Sequence, residues 1–302
     1  MCYELLPFFL LLEMDNFNDF SLLKDKTLEE IACFIFHLNL NPKTNIGYVP
    51  FSYDEIKTSI KNNMNIKDDI IVLGNDDKII GVLALDRDLE SAEVWGPFVE
   101  EGYNYFEVSK VLIDIALTIG NIKLQFFINE ENHNAINFLN CIKAKYVNTH
   151  YNMEIAAHNL KLSQHIVSFT KEYEVSFIAL HNLAFKDSYY NGLDIINMLD
   201  FNHHLLIYPY ILHSNLIMGY LFYTIFDKEK EINIEFIASA QSFQKRGVAT
   251  SLINYCIKEA FDKGIKNIKI TVSSNNEKAI SFYKNRGFIK TNTYKHYTYS
   301  VR

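Results

Sequence analysis

Residues 241–253 read QSFQKRGVATSLI and set two cations and a glycine between an apolar strand and an apolar-periodic helix. Upstream, INIEFIAS (232–239) alternates in the manner of a β-strand. Downstream, Val248, Leu252, Ile253, Cys256, Ile257 and Ala260 recur at helical spacing and define one face to be buried. A helix N-terminus leaves its first four N–H groups without partners and carries about half a positive charge. The junction therefore suits an anion: Lys245 and Arg246 add charge, and Gly247 lets a ligand approach the backbone closely. The same residues equally suit an ordinary β–α turn whose cations face water, and this stretch alone does not choose.

The elements that must position this junction occur twice. NIKLQFFINEENHNAINFLNCIKAKY (121–146) and NIKITVSSNNEKAISFYKNRGF (267–288) both open on Asn-Ile-Lys and an apolar strand, then pass an Asn-rich turn into a helix. Both place Asn-x-x-Ala at the turn, Asn132 to Ala135 and Asn276 to Ala279, followed by Ile136 and Phe138 or Ile280 and Phe282. The tails 146–155 and 289–301 are alternating strands rich in Tyr and Thr. Upstream, KIIGVLAL (78–85) and LIMGYLFY (216–223) are strands with a central glycine, each followed by a further strand, 91–99 or 231–239. Helical segments precede them: TLEEIACFIFHL and SYDEIKTSIKNNM in one half, EVSFIALHNLAF and NGLDIINML in the other. Each half reads β-α-α-β-β-β-α-β-α-β, so a whole α/β domain has been duplicated, with the join in the polar stretch around 157–165.

Composition narrows the function classes. The 302 residues are 49% hydrophobic and 22% charged, the balance of an ordinary globular chain. A net charge of −7 argues against binding nucleic-acid phosphates and is compatible with cationic or amine-bearing partners. Cys2, Cys33, Cys141 and Cys256 show no paired spacing, which suggests a reduced, cytoplasmic protein without disulfides or a cysteine-built metal site. The ten histidines form no metal-ligand motif, and adjacent His203 and His204 would point to opposite faces of a strand, so no metal is expected. MCYELLPFFLLLEMDNF at the start lacks a basic leader, carries Glu4 and is too short to span a bilayer; it reads as a buried first strand, with no membrane association expected.

The C-terminal half resembles the GCN5-related N-acetyltransferases. That family's Gln/Arg-x-x-Gly-x-Gly/Ala motif is matched by Gln244, Gly247 and Ala249, and its Asn-x-x-Ala-x-x-x-Tyr signature ahead of Gly-Phe by Asn276, Ala279, Tyr283 and Gly287-Phe288. The resemblance implies a mixed-sheet acetyltransferase fold in two tandem copies, residues 1–160 as a degenerate domain and 161–302 as the catalytic one. It also implies acetyl-CoA as co-substrate. The amides of Lys245, Arg246, Gly247, Val248, Ala249 and Thr250 would cradle the pyrophosphate. Ile237 and Ser239 would bind the pantetheine arm along the strand, with Asn276 on the other side and Ala279, Phe282 and Tyr283 completing the cofactor-facing set.

The implied reaction is acetyl transfer from the thioester to a primary amine of a small molecule or peptide. Deprotonating a lysine-like ammonium at pH 7 costs roughly 4–5 kcal/mol, so the proton needs an acceptor. Glu235, with Asn233 on the same strand face, is the candidate base; a strand carboxylate paired with a basic neighbour is the other reading of it. Tyr283 matches the family's general acid for the departing thiolate, and an amide near Ser239 would polarise the carbonyl. The N-terminal copy departs from the pattern. It lacks the glycine motif, carries Glu100, Glu101 and Glu107 where phosphates would sit, and has Leu139 at the tyrosine position. It is expected to be non-catalytic and to wall the acceptor pocket. One chain would thus act as an internal pseudo-dimer, or pair as a homodimer. A non-catalytic acyl-CoA-binding or sensing protein is the alternative.

Overall fold

The computed structural model describes residues 20–119, 122–162, 166–186, 188, 190–210 and 215–300. The proposed first strand in residues 1–17 lies outside them. In the first half the elements are β1 (Ser21–Leu22), α1 (Leu28–Asn39), α2 (Tyr53–Asn63), β2 (Ile70–Asn75), β3 (Lys78–Arg87), β4 (Ser91–Val99), α3 (Tyr105–Ala116), β5 (Lys123–Asn129), α4 (His133–Cys141) and β6 (Lys145–Ala156). The second half repeats the order with β7 (Val167–Ser168), α5 (Glu174–Ala184), α6 (Gly192–Met198), β8 (His203–Pro209), β9 (Ile217–Phe226), β10 (Glu231–Ser239), α7 (Val248–Asp262), β11 (Asn267–Ser273), α8 (Glu277–Lys284) and β12 (Ile289–Tyr299). From the first helix of each half onward this is the element order that periodicity predicts, while β1 lies beyond the stretch expected to form the first strand.

The chain divides into two compact units that are not contiguous in sequence. The first holds the residues up to His150 together with Ser273–Asn275 and the chain from Asn292 onward; the second holds Tyr151–Val272 and Asn276–Thr291. Each half has thus given its last strand to the sheet of the other. The expected division at 160/161 cuts the chain in the polar stretch, whereas the packing follows the strands. A terminal strand is stable wherever its backbone groups find a ladder, and β6 finds one beside β11.

In the first unit the strand order is β1-β2-β3-β4-β5-β12. Neighbours are antiparallel except β4 and β5, and β12 lies antiparallel to β5 from Tyr294↔Asn129 to Tyr299↔Leu124. In the second unit the order is β6-β11-β10-β9-β8-β7, with β10 and β11 parallel. The glycine shared by the two repeats has one reason in both. A Cβ on Gly81 would stand 2.5 Å from Val108 Cγ1 in α3, and one on Gly219 2.6 Å from Val248 Cγ1 in α7. The first turn of the helix after the fourth strand lies directly on that glycine.

Apolar faces then close the layers. The face of α7 predicted from sequence is the buried one: Val248, Leu252, Ile253, Cys256, Ile257 and Ala260 pack in one cluster with Leu221, Tyr223, Ile232 and Ile234. Each fully buried Leu or Ile adds about 1.5–3 kcal/mol relative to exposure. On the opposite face α5 and α6 contribute Phe177, Leu180 and Ile195 to a cluster with Leu205, Tyr220 and Phe222. His203 and His204 do face opposite ways, His203 stacked on Phe222 and His204 on Tyr223. Among the described residues Cys33, Cys141 and Cys256 are free thiols, and no helix is long and apolar enough to cross a membrane.

Candidate active site

The second unit opens a gap in its own sheet. β10 and β11 pair in parallel from Glu231↔Asn267 to Ile234↔Ile270, and there the pairing stops, although both strands run on. On its other side β10 stays joined to β9 as far as Ser239↔Gly219, with a bulge between Ile234 and Phe236. A bulge adds one residue and sharpens the twist, which turns β10 away from β11. The Ala240 amide donates to the Met218 carbonyl at 2.8 Å. Alternate residues of a strand face opposite sides, so Ile237 and Ser239 turn their backbone groups toward the side that β11 has left. There Gln244 Nε2 approaches the Ser239 carbonyl at 3.5 Å. An open strand edge of this kind can pair with an extended, amide-bearing ligand.

β10 leads through a short turn at Gln241–Phe243 into α7. Thr27, Ser52, Asn104, Asn132, Asn191 and Asn276 each cap a helix by accepting from first-turn amides. At the start of α7 stands Gly247, which has no side chain to do so. Its φ of 83° demands glycine, whereas a Cβ there would meet nothing within 4 Å. Lys245 is also left-handed, at φ 61°. Among the described residues the amides from Lys245 to Thr250 make no hydrogen bond, which leaves six donors in sequence at the positive end of a helix. Lys245 and Arg246 are exposed beside them, with the Arg246 guanidinium 5.6 Å over the Phe243 ring.

α8 supplies the remaining motif residues. Asn276 is its N-cap, its Oδ1 accepting from the Ala279 amide at 3.1 Å, while its side chain stays exposed. The capping role is therefore real and leaves the Nδ2 donors free. Tyr283 is 5% exposed, and Ala279, Phe282, Ile237 and Phe243 pack against the same cluster. Its ring lies against Phe282 and Phe288. Among the described residues nothing hydrogen-bonds its hydroxyl, and burial pushes the phenol well above its ordinary range, which keeps it protonated.

Glu235 sits at the bulge. It has accessible surface, yet burial by the surrounding protein raises its carboxyl above the ordinary range, a combination found in recesses. Asn233 Nδ2 donates to Glu235 Oε1 at 2.8 Å, and Thr224 Oγ1 reaches the same oxygen at 3.5 Å. These bonds and the nearby His203 oppose the upward shift without cancelling it. Among the described residues no cation pairs with Glu235, so the reading of a structural ion pair does not apply. Sequence reasoning missed Thr224 and His203, because only the register His203↔Thr224 and Thr224↔Asn233 brings them onto this face.

The first unit builds the same features and closes them. Its β4 and β5 pair in parallel only from Ser91↔Lys123 to Glu93↔Gln125, and β3 and β4 carry a bulge between Val82 and Ala84. The gap is filled from within: Ile46 bridges Ile128, the Gly47 amide donates to the Phe127 carbonyl at 2.6 Å, and the Asn129 amide to Asn45 O at 3.3 Å. The Asn104 side chain accepts from the amides of Phe106 and Glu107 at 3.1 and 3.4 Å, so the start of α3 is capped. Glu100 pairs with Lys78, and Leu139, opposite Tyr283 in the repeat, is fully buried.

Residues 167–288 match the Acetyltransferase (GNAT) family. The match spans most of the C-terminal half, and the chemistry of that family is acyl transfer from acyl-CoA. A GCN5-related N-acetyltransferase from Sphaerobacter thermophilus aligns over 94% of this chain and 96% of its own, with a TM-score of 0.74 and 13% identity. A tandem GNAT protein from the clavulanic acid biosynthesis pathway aligns over 93% and 98%, at 0.66 and 12%. The N-myristoyltransferase of Saccharomyces cerevisiae, solved with bound myristoyl-CoA and inhibitors, aligns over 95% and 82%, at 0.59 and 10%. At these identities the likeness is one of fold, and it extends over both halves.

Proposed function

We propose that the chain is an N-acetyltransferase that moves an acetyl group from acetyl-CoA to a primary amine of a small molecule or peptide, and that it does so in its second unit. The observation that carries this reading is the stretch of β10 beyond its pairing with β11, leading through one short turn to six amides, Lys245–Thr250, that make no hydrogen bond among the described residues. A pantetheine arm would lie along Ile237 and Ser239 and end in a pyrophosphate at the start of α7. Asn276 donates to the arm from the other side, and Ala279 and Phe282 pack against it. Glu235 takes a proton from the acceptor ammonium. The amine nitrogen then attacks the thioester carbonyl carbon, the C–S bond breaks, Tyr283 gives its proton to the departing sulfur, and the second proton leaving the nitrogen restores the tyrosine. Glu235 in its recess, with no cation paired to it among the described residues, favours an acceptor that arrives as a cation. The first unit, with its gap filled and its helix capped, acts as a non-catalytic domain.

Isothermal titration with acetyl-CoA, followed by transfer assays over a panel of amines, tests the proposal. Binding with turnover supports it. Binding without transfer to any amine would favour an acyl-CoA-binding or sensing protein, and absence of binding would end both readings.

A further inference from the structure

Acetylating an ammonium releases one proton per turnover: R–NH3⁺ and acetyl-CoA give R–NH–acetyl, CoA-SH and H⁺. One of the two protons leaving nitrogen ends on sulfur, and the other must reach water. Glu235 is accessible in the free protein, but an acceptor seated over it covers that exit. We propose that His203, held by Asp200, is the relay that carries this proton from Glu235 to solvent. The inference rests on Glu235 being the base.

Three adjacent strands set the row. His203 on β8 stands opposite Thr224 on β9, and Thr224 opposite Asn233 on β10. Thr224 and Asn233 both reach Glu235 Oε1. At His203 the strand β8 is the outer one, because β7 pairs only with Leu206 and Ile207. The row therefore runs from the gap in the sheet to its solvent edge. The side chains of His203 and Asp200 are 28% and 57% exposed.

The imidazole is fixed in place. Nδ1 lies 2.7 Å from Asp200 Oδ1, and the ring stacks on Phe222 with an interplanar angle of 14°. Asp200 also accepts from the backbone amides of His203 and Asn202, both at 2.8 Å, and these bonds hold its carboxyl down at about 2. Asp200 is thus an anion at any working pH, so Nδ1 carries a hydrogen and Nε2 is the nitrogen left to take a proton. From Glu235 the proton passes to Nε2 through an intervening water, and the imidazolium, held in place by Asp200, releases it to bulk water. Among the described residues the charged and polar groups placed beside the ring are Asp200 from the preceding turn, Thr224 from β9 and Glu235 from β10.

The test uses the full chain, saturating acetyl-CoA and the best amine from the panel. His203→Ala should lower kcat by about 10–100-fold, at or below the 10²–10⁴ usual for a group touching the reacting atoms, with KM for acetyl-CoA unchanged. Imidazole added to the buffer should restore much of the rate, in proportion to its neutral fraction as pH is varied. A merely structural histidine would show no such rescue. Asp200→Asn should give a smaller loss, because the ring loses the partner that orients it. Full activity in His203→Ala, or a loss that imidazole leaves untouched in a folded variant, overturns the relay and leaves Glu235 standing. Full activity in Glu235→Gln removes the base and the relay together.

Discussion

Gly247→Asp offers the most direct test of the phosphate cradle. A Cβ at this position meets nothing within 4 Å, so the substitution adds no clash. The left-handed backbone costs a non-glycine residue about 1–2 kcal/mol, less for Asp and Asn, which tolerate it. Relative to glycine, a side-chain oxygen at the N-cap returns only a few tenths of a kcal/mol. A net loss of about 1 kcal/mol remains, and the variant should melt within a few degrees of the parent. Binding is another matter. One carboxylate about 5 Å from one phosphate charge, at an effective dielectric of about 20, costs about 3 kcal/mol, or about 150-fold in Kd. A pyrophosphate carries more than one charge, so this is a lower bound. Gly247→Asn caps the same amides without the charge and should lose only about tenfold, by competing for them. The gap between the Asp and Asn variants should narrow as salt rises from 50 mM to 1 M, where the screening length falls to about 3 Å. Titration of acetyl-CoA into folded variants reads all of this. Equal affinity for the parent and the Asp variant would place the pyrophosphate elsewhere and refute the cradle.

Other expectations follow from the same geometry. Tyr283→Phe removes only a hydroxyl for which no partner is found among the described residues, so stability and acetyl-CoA affinity should hold while kcat and kcat/KM fall together by about 10²–10⁴-fold; a parental rate would leave Tyr283 as packing alone. Glu235 carries a raised pKa and acts as base only when ionised, so the rate should fall as pH drops through a value above the ordinary 4.3, a limb absent from Glu235→Gln. Titration should find one acetyl-CoA per chain, since Asn45–Gly47 fill the gap of the first unit and Asn104 caps α3; a stoichiometry of two would contradict this. Residues 161–302 expressed alone lack the strand beside β11 and the buried Met153, and should show no cooperative unfolding; a folded fragment that binds acetyl-CoA would show β6 to be dispensable.

What was legible in the sequence is what local pattern encodes. The period of Val248 through Ala260 marked both α7 and its buried face, and the paired glycines marked the seat of each helix. The motif residues Gln244–Thr250 fall where a strand feeds a helix, as their types required. Tertiary pairing was not legible. Nothing in the alternating tail 289–301 says that it pairs with β5 rather than with a strand of its own half, because an alternating strand satisfies its ladder equally well in either place. Thr224 and His203 escaped for the same reason: they join Glu235 through register across three strands, not through spacing along one.

The two units show how small a change separates an open site from a closed one. Both keep the bulge, the early end of parallel pairing and the glycine under the helix. They differ in where the freed backbone groups go. In the first unit Ile46 is fully buried in the gap, and Asn39 Oδ1 takes the Ile46 amide at 2.8 Å and Asn45 Nδ2 at 3.1 Å, while the Tyr294 hydroxyl donates to Asn45 Oδ1 at 3.0 Å. A buried polar network with each of these members bonded is worth keeping, and breaking it would strand several donors at about 1–3 kcal/mol each. In the second unit, among the described residues, the amides before α7 make no internal hydrogen bond, and the corresponding strand edge meets only the long contact from Gln244 Nε2 to the Ser239 carbonyl. They remain solvated until a ligand takes them. Unmet hydrogen-bonding capacity, concentrated at one strand edge and one helix start, is the physical difference between a copy that packs and a copy poised to bind.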